Sequence, residues 1–83
     1  MATLMEVPLP DMGNDDKKIE AVVSFWPVAV GDCLAAGDDL LEVVTDKANF
    51  VVACPRAGLL REQRVREDDR VRVGDVVAVI ETV

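Results

Sequence analysis

LEVVTDKANFVVAC, residues 41–54, lies at the centre of the chain and has the pattern of an antiparallel hairpin. Two apolar runs rich in valine flank a short polar segment, and the branched Cβ of valine favours extended backbone because it packs well on a pleated surface. Asp46 and Lys47 stand between the runs as a two-residue turn. The stretch therefore predicts two paired strands, with the Lys47 side chain projecting from their tip into solvent.

An internal repeat extends outward from this centre into both halves of the chain, roughly residues 7–46 and 44–83. Residues of the same type recur 37 positions apart, as in Val28 and Val65, Asp32 and Asp69, Gly37 and Gly74, Asp38 and Asp75. Two copies are too few for a solenoid, but they suffice for two similar half-sheets related by a pseudo-two-fold axis. Packing the half-sheets face to face buries their apolar sides. We predict an all-β fold with this symmetry, as a single domain over residues 1–83.

The Gly-Asp pairs of the repeat are interpreted as structural turns. Glycine accepts positive φ, and a neighbouring aspartate can hydrogen-bond nearby backbone, so Gly31, Gly37 and Gly74 can each make a tight reversal. In the second copy Asp68 stands where the first copy has Gly31. Aspartate can adopt the left-handed conformation at some cost. No segment has a helical period long enough to compete with the strand pattern.

Composition and charge exclude several functional classes. The 83 residues are 51% hydrophobic with a net charge of −7, so the chain is too apolar for disorder. An acidic surface repels nucleic acid and anionic lipid, and no apolar run approaches a membrane span. We expect no nucleic-acid partner and no membrane association. The N-terminus lacks the pattern of a signal peptide, so we expect a cytoplasmic chain in which Cys33 and Cys54 are reduced and buried.

An autonomous enzyme is also disfavoured. The chain has no histidine and two cysteines, which excludes a four-ligand zinc site and a Ser-His or Cys-His nucleophile. The adjacent acid pairs, Asp38-Asp39 and Asp68-Asp69, lie in predicted turns. Neighbouring residues on a strand would point to opposite faces, so neither pair forms a carboxylate dyad.

Lys47 is the candidate for chemistry. It is the only lysine after Lys18, and the other six basic residues that follow are arginines. A lysine amine can form an amide with an acyl group, whereas an arginine is not a nucleophile at neutral pH. A rigid hairpin tip is a good mount for a tethered group. An ordinary solvated turn lysine remains the alternative on spacing alone.

The motifs, taken in order, resemble the lipoyl domains of 2-oxo acid dehydrogenase acyltransferases, within the lipoyl/biotinyl attachment family. The resemblance covers nearly the whole chain, and four segments carry most of it: Pro8-Leu-Pro-Asp-Met-Gly13, Val30-Gly-Asp32, Thr45-Asp-Lys-Ala48 and Val73-Gly-Asp75. It implies a flattened β-barrel, or barrel-sandwich hybrid, of two four-stranded sheets. It also implies that Lys47, flanked by Asp46 and Ala48, is the lysine that bears lipoic acid.

The resemblance further implies a carrier, not a catalyst, whose partners are the enzymes of a 2-oxo acid dehydrogenase complex. A thiamine-dependent decarboxylase would acylate the arm, the acyltransferase core would unload it, and a flavin dihydrolipoamide dehydrogenase would reoxidise it. A lipoate ligase or lipoyl transferase would attach the cofactor. The polar residues Asp15, Asp16, Lys17 and Lys18 are a hypothetical recognition element for the decarboxylase.

Two alternatives stay open beside the lipoyl interpretation. A biotinyl carrier domain of a carboxylase would have the same fold and lysine position, but that family resembles Met-Lys-Met at the turn, where this chain has Asp46 and Ala48. An unmodified interaction module is favoured by Val44, because lipoyl turns usually have an acid there and the nearest acid here is Glu42.

Two aromatic residues outside the motifs carry further expectations. Phe50 is expected in the core. Trp26 maps onto Gln63 in the repeat and is expected to break the symmetry, packing at a sheet edge with its indole N–H bonded or wet.

Overall fold

The computed structural model describes residues 3–10 and 20–82, and within these ranges the secondary structure consists of eight strands and no helix. The strands are β1 (Thr3–Pro8), β2 (Glu20–Phe25), β3 (Cys33–Leu34), β4 (Asp39–Val44), β5 (Asn49–Ala53), β6 (Gly58–Gln63), β7 (Arg70–Arg72) and β8 (Val76–Thr82). Accordingly, nothing in the described part of the chain is a helix long and apolar enough to cross a bilayer.

The strands form two four-stranded sheets that the repeat relates to each other. The first sheet, sheet A, has the order β1-β8-β6-β3, and the second, sheet B, has the order β5-β4-β2-β7. Exchanging each strand for the one four places away in the chain converts one order into the other. All strand pairs are antiparallel. The predicted all-β fold of two four-stranded sheets with pseudo-two-fold symmetry is therefore confirmed.

The core lies between the two sheets and follows the alternation of the strands. In β2, Ala21 and Val23 are buried while Val22 and Ser24 are exposed. The core contains valine, leucine and isoleucine from both sheets, with Leu40, Leu41, Leu60 and Ile80 among the largest fully buried side chains. Phe50, expected in the core, is half-buried and packs against the core from its edge.

The Gly-Asp corners of the repeat join the sheets through equivalent hydrogen bonds. The Gly37 amide donates to the Cys54 carbonyl at 2.8 Å, and the Gly74 amide donates to the Leu9 carbonyl at 2.9 Å. At each corner an aspartate carboxylate also accepts a backbone N–H three residues earlier; Asp38 accepts from Ala35 at 2.9 Å. These bonds fix where the chain leaves one strand and enters the next.

Backbone dihedrals confirm the predicted role of these corner residues. Gly31, Gly37 and Gly74 have φ values of 98°, 91° and 94°. Asp68, which replaces glycine in the second copy, has φ of 72°. Its amide still donates to the Val23 carbonyl at 2.8 Å, so this corner closes despite the less favourable residue.

The expectation that Trp26 breaks the symmetry is wrong at the level of hydrogen bonding. Its indole Nε1 donates to the Val65 carbonyl, and the Gln63 amide Nε2 donates to the Val28 carbonyl, each at 3.1 Å. Trp26 corresponds to Gln63, and Val65 to Val28, so the two bonds are reciprocal across the pseudo-two-fold axis. Two unlike side chains reach equivalent carbonyls because each presents an N–H at a similar distance from its backbone.

The expectation that both cysteines are buried is wrong for one of them. Cys54 is buried and Cys33 is exposed, and both are free thiols. The two-residue strand β3 turns Leu34 into the core, so alternation directs its neighbour Cys33 to solvent. The hypothetical recognition element at residues 15–18 lies outside the described residues.

Candidate functional site

The hairpin of β4 and β5 presents the residues that the sequence analysis singled out. The register pairs Val43 with Phe50 and Val44 with Asn49, which leaves residues 45–48 as the connection. Asp46, Lys47 and Ala48 are all exposed. The predicted hairpin with Lys47 at its tip is confirmed, but the predicted two-residue turn is wrong, because the strands stop pairing at Val44 and Asn49 and leave a connection of four residues.

Thr45 closes the turn through both its backbone and its side chain. Its amide donates to the Ala48 carbonyl at 2.9 Å. Its hydroxyl Oγ1 accepts from the amides of Lys47 and Ala48, and donates to the Ala48 carbonyl, each at 3.2 Å. One donated and two accepted bonds use the full capacity of a hydroxyl. Thr45 thus holds the backbone of Lys47 in place.

The conformation of the turn fits its length of four residues. Hairpin loops of this length are most often built around a type I turn, which needs no positive φ. Among the described non-glycine residues positive φ occurs at Asp68 and not at residues 45–48. Within this turn the Ala48 amide donates to the Thr45 hydroxyl. The sequence pattern gave no role to Thr45, although threonine beside a turn often bonds backbone two residues on.

The Lys47 amine is accessible and is not held by an ion pair with any residue of the ranges 3–10 and 20–82. The side chain is exposed, and it takes part in none of the salt bridges among the described residues. A primary amine in this position can be acylated by a large enzyme, because the approach from solvent is open. The turn suits covalent attachment better than catalysis, since the chain has no histidine to act as a base.

Val44 lies on the outer face of sheet B, directly before the turn. It is half-buried between Val22 of β2 and Asn49 of β5. Glu42, the nearest acid along β4, lies on the same face one pleat further from the tip. On this face the turn is therefore preceded by an apolar residue, Val44, and followed by a polar one, Asn49.

Two symmetry-related antiparallel sheets with one lysine on an exposed, hydrogen-bonded turn define a barrel-sandwich carrier class of domain. A family model described as "Biotin-requiring enzyme", the biotin/lipoyl family, matches residues 5–80. The chain belongs to the biotin/lipoyl family.

Two curated relatives from this family are acyltransferase components named for a dihydrolipoyllysine residue. The chain is 38% identical over 74 residues to the dihydrolipoyllysine-residue acetyltransferase component of the pyruvate dehydrogenase complex from Corynebacterium glutamicum, matching 89% of this chain and 11% of that protein. It is 35% identical over 75 residues to the succinyltransferase component of the 2-oxoglutarate dehydrogenase complex from Staphylococcus saprophyticus, matching 90% of this chain and 17% of that protein. The chain thus spans less than a fifth of the length of these relatives.

Solved structures confirm the fold. The lipoyl domain of the 2-oxoglutarate dehydrogenase complex from Azotobacter vinelandii superposes with a TM-score of 0.68 at 18% identity, covering 93% of this chain and 96% of that domain. The urea carboxylase of Kluyveromyces lactis superposes with a TM-score of 0.70 at 27% identity, covering 92% of this chain and 7% of that protein. The barrel-sandwich hybrid predicted from the resemblance is therefore the fold of this chain.

Proposed function

We propose that the chain is a carrier domain whose Lys47 bears lipoic acid through an amide bond, with Asp46 and Ala48 flanking the attachment point. The observation that supports this most directly is the exposed Lys47 on a turn that Thr45 fixes by three hydroxyl hydrogen bonds. The fit is chemical as well as geometric, because an exposed primary amine is the group that forms an amide with a carboxylic acid.

Bound lipoic acid would supply a dithiolane that accepts and releases acyl groups, and the chain's own residues would position it. Lys47 would hold the arm covalently, and Thr45 would fix the backbone from which the arm starts. The paired strands β4 and β5 would keep that origin rigid while the arm moves. Tethering raises the effective concentration of the arm at each partner site.

The partners in this proposal are the enzymes of a 2-oxo acid dehydrogenase complex. A thiamine-dependent decarboxylase would load the arm, the acyltransferase core would unload it, and a flavin dihydrolipoamide dehydrogenase would reoxidise it. A lipoate ligase or lipoyl transferase would attach it. The relatives, which are acyltransferase components of such complexes, support this assignment. We also place the chain in the cytoplasm, where reducing conditions would keep the thiols Cys33 and Cys54 free.

Biotin on Lys47 is the second candidate, since the urea carboxylase shares the fold and 27% of the aligned residues. The lipoyl assignment is preferred because the acyltransferase relatives reach 38% identity. The residues around Lys47 also differ from the Met-Lys-Met pattern that the biotinyl domains resemble.

The decisive experiment is the intact mass of the protein coexpressed with a lipoate ligase and lipoate, beside a Lys47→Arg control. We expect a lipoyl increment on the wild type and complete loss of it in Lys47→Arg, because the guanidinium does not form the amide. A biotinyl increment in cells containing a biotin ligase would move the chain to the carboxylase class. No increment on a folded sample would contradict the carrier assignment, and Val44→Glu would then test whether an acid restores modification.

Thr45 can be tested as a positioning residue by comparing Thr45→Val with Thr45→Ser. We expect Thr45→Val to slow lipoylation about tenfold or more, because a loss of roughly 1.4 kcal/mol in turn positioning corresponds to a factor of ten. Thr45→Ser keeps the hydroxyl and should restore the rate. The measurement is the initial rate of lipoyl transfer, followed by intact mass. Melting temperatures that are equal for the two variants show that a difference in rate comes from positioning and not from a general loss of stability. Equal rates for the two variants would rule out this role.

A further inference from the structure

The outer faces of the two sheets differ at equivalent positions. On sheet A, Val79 lies outside the core cluster and pairs with Glu6 on β1 and Glu62 on β6, yet it is 3% exposed. The guanidinium of Arg64 contacts the carboxylates of Glu6 at 3.9 Å and Glu62 at 3.2 Å, and these are the two residues that flank Val79. Because the long stem of an arginine can cover apolar surface, we attribute the burial of Val79 to Arg64.

Sheet B has apolar side chains at the equivalent central positions. Glu42 takes the place of Val79, and its cross-strand neighbours are Phe25 and Val51 instead of two glutamates. Phe25 is 41% exposed and Val51 is 50% exposed. Pro27 stands where the repeat places Arg64, so the repeat supplies no equivalent arginine to this row.

The next row of sheet B is mixed in chemistry. Val44 lies between Asn49 and Val22, which is 37% exposed. On its other side Val22 pairs with Arg70 of β7. The ion pair of Arg72 with Glu20, at 3.5 Å, lies one row further along the same strands. The exposed valines of sheet B are therefore bordered by polar residues.

Three of these residues, Val22, Val44 and Val51, form what we call the valine strip, and it lies next to Lys47. Val44 is the last residue of β4 before the turn, and Val51 lies two residues into β5 from Asn49, the first residue after the turn. Adjacent strands are about 4.8 Å apart, so Val22 is one strand spacing from Val44. A lysine side chain extended by an eight-carbon acid is longer than these separations.

We propose that the valine strip is the resting site of the acyl arm on Lys47, an inference that rests on the proposed function. Between visits to partners, the aliphatic chain and dithiolane of the arm lie against Val22, Val44 and Val51. The arm is the occupant that the structure favours because it is apolar, electrically neutral after amide formation, and tethered beside the strip. The tether gives it a local concentration that no free apolar ligand reaches, and neutrality avoids repulsion by Glu42.

A resting site has a consequence for reactivity. An arm lying on the strip has part of its dithiolane shielded from reagents in solution, whereas an arm that sweeps freely is fully accessible. Removing apolar surface from the strip should therefore expose the dithiolane, and removing it from sheet A should not. Val51 and Leu4 provide a matched pair for this comparison. Both are exposed apolar residues on edge strands, Val51 on β5 of sheet B and Leu4 on β1 of sheet A.

The experiment compares unmodified and lipoylated protein by methyl NMR of valine and leucine, after intact mass has established the lipoyl increment. We expect the methyl signals of Val22, Val44 and Val51 to shift on lipoylation, and those of Leu4 and Leu59 on sheet A to stay. In parallel, the rate at which a water-soluble phosphine reduces the dithiolane should rise two- to threefold in Val51→Ser and stay unchanged in Leu4→Ser.

Two results would overturn the inference while leaving the proposed function intact. One is a set of methyl shifts that does not include the valine strip on a protein whose mass shows the lipoyl increment. The other is equal reduction rates for Val51→Ser and Leu4→Ser. Absence of the lipoyl increment would instead overturn the proposed function, and the resting site with it.

Discussion

The inner faces of sheets A and B are alike, and their outer faces are not. Equivalent inward positions are apolar and buried in both sheets, as in Val23 and Leu60, Leu34 and Val71, Val43 and Ile80. Equivalent outward positions differ in chemistry: Glu42 and Val79, Phe25 and Glu62, Val44 and Glu81. The shared core requires symmetry because each sheet packs against the other, whereas solvent imposes no such match. The outer faces therefore differ, and three outward valines of sheet B, Val22, Val44 and Val51, lie near the turn that carries Lys47.

The largest loss of stability is expected at an inner position where the two copies of the repeat have different residues. Gly58 of β6 corresponds to Ala21 of β2, and an added Cβ at Gly58 would collide with the carbonyl oxygen of Glu81 on β8. Because that neighbour is backbone, Gly58→Ala should lower the free energy of unfolding by about 2 kcal/mol, within the range of about 1–3 kcal/mol for overpacking. Urea unfolding measures this change.

The matched variant for Gly58→Ala is Ala21→Gly. It should cost about 1 kcal/mol, since a glycine in a strand loses more conformational freedom on folding. Giving either copy the residue of the other at this position is thus expected to lower the free energy of unfolding. A Gly58→Ala protein as stable as the wild type would mean that β6 and β8 are further apart than described.

A smaller change, this time a gain in the free energy of unfolding, is expected at the corner where one copy of the repeat has glycine and the other has aspartate. Asp68 has φ of 72°, and its counterpart Gly31 has φ of 98°. Asp68→Gly should raise the free energy of unfolding by about 0.5–1 kcal/mol, because the left-handed region costs an L-residue roughly 1–2 kcal/mol and a glycine very little. The melting temperature should rise by about 2–8 °C, given roughly 4–8 °C per kcal/mol for a domain of this size.

Gly31→Asp is the reciprocal change for this corner and should lower the melting temperature by a similar amount. Both variants keep the backbone hydrogen bonds that join the corner to the opposite sheet. If Asp68→Gly instead destabilised the protein, the side chain of Asp68 would have to make a contact that outweighs its dihedral cost.

The smallest expected effect concerns the charged cover of sheet A. Arg64→Ala removes contacts to Glu6 and Glu62 and uncovers Val79. Because the arginine side chain is 44% exposed, the loss should be about 0.5 kcal/mol, as for other surface ion pairs. It should shrink as salt is raised, since salt screens exposed charges.

Arg61→Ala is the matched control for Arg64→Ala, because Arg61 makes a single contact of 4.0 Å to Glu81. It should change stability less than Arg64→Ala does. Thermal unfolding at low and high salt distinguishes the two variants. A loss for Arg64→Ala that does not depend on salt would attribute its effect to packing over Val79 alone.

Most of the fold could be predicted from the chain because its signals are local and repeated. Valine-rich runs, Gly-Asp corners and the 37-residue repeat required two antiparallel half-sheets, and the position of Lys47 between two apolar runs required a hairpin tip. The left-handed conformation of Asp68 also followed, since its counterpart is a glycine. The single-domain extent over residues 1–83 and the roles of Lys47, Asp46 and Ala48 in attachment stay predictions.

Other features depended on pairings that no local pattern encodes. The exposure of Cys33 follows from a strand of two residues, too short for alternation to be recognised in the sequence. The reciprocal bonds of Trp26 and Gln63 join unlike side chains, so sequence comparison alone indicated a break in symmetry. The hydrogen bonds of Thr45 depended on where β4 and β5 stop pairing, which makes the connection four residues long.

The sequence by itself determined the class of fold, the symmetry of the core and the lysine at the tip, because periodicity, turn residues and burial are properties of short segments. Tertiary structure alone decided the difference in how outward residues group on the two faces. That difference depends on cross-strand register, which places Arg64 between Glu6 and Glu62 and brings Val22, Val44 and Val51 together from three strands. Residues distant in the chain acquire a common surface only when the strands pair.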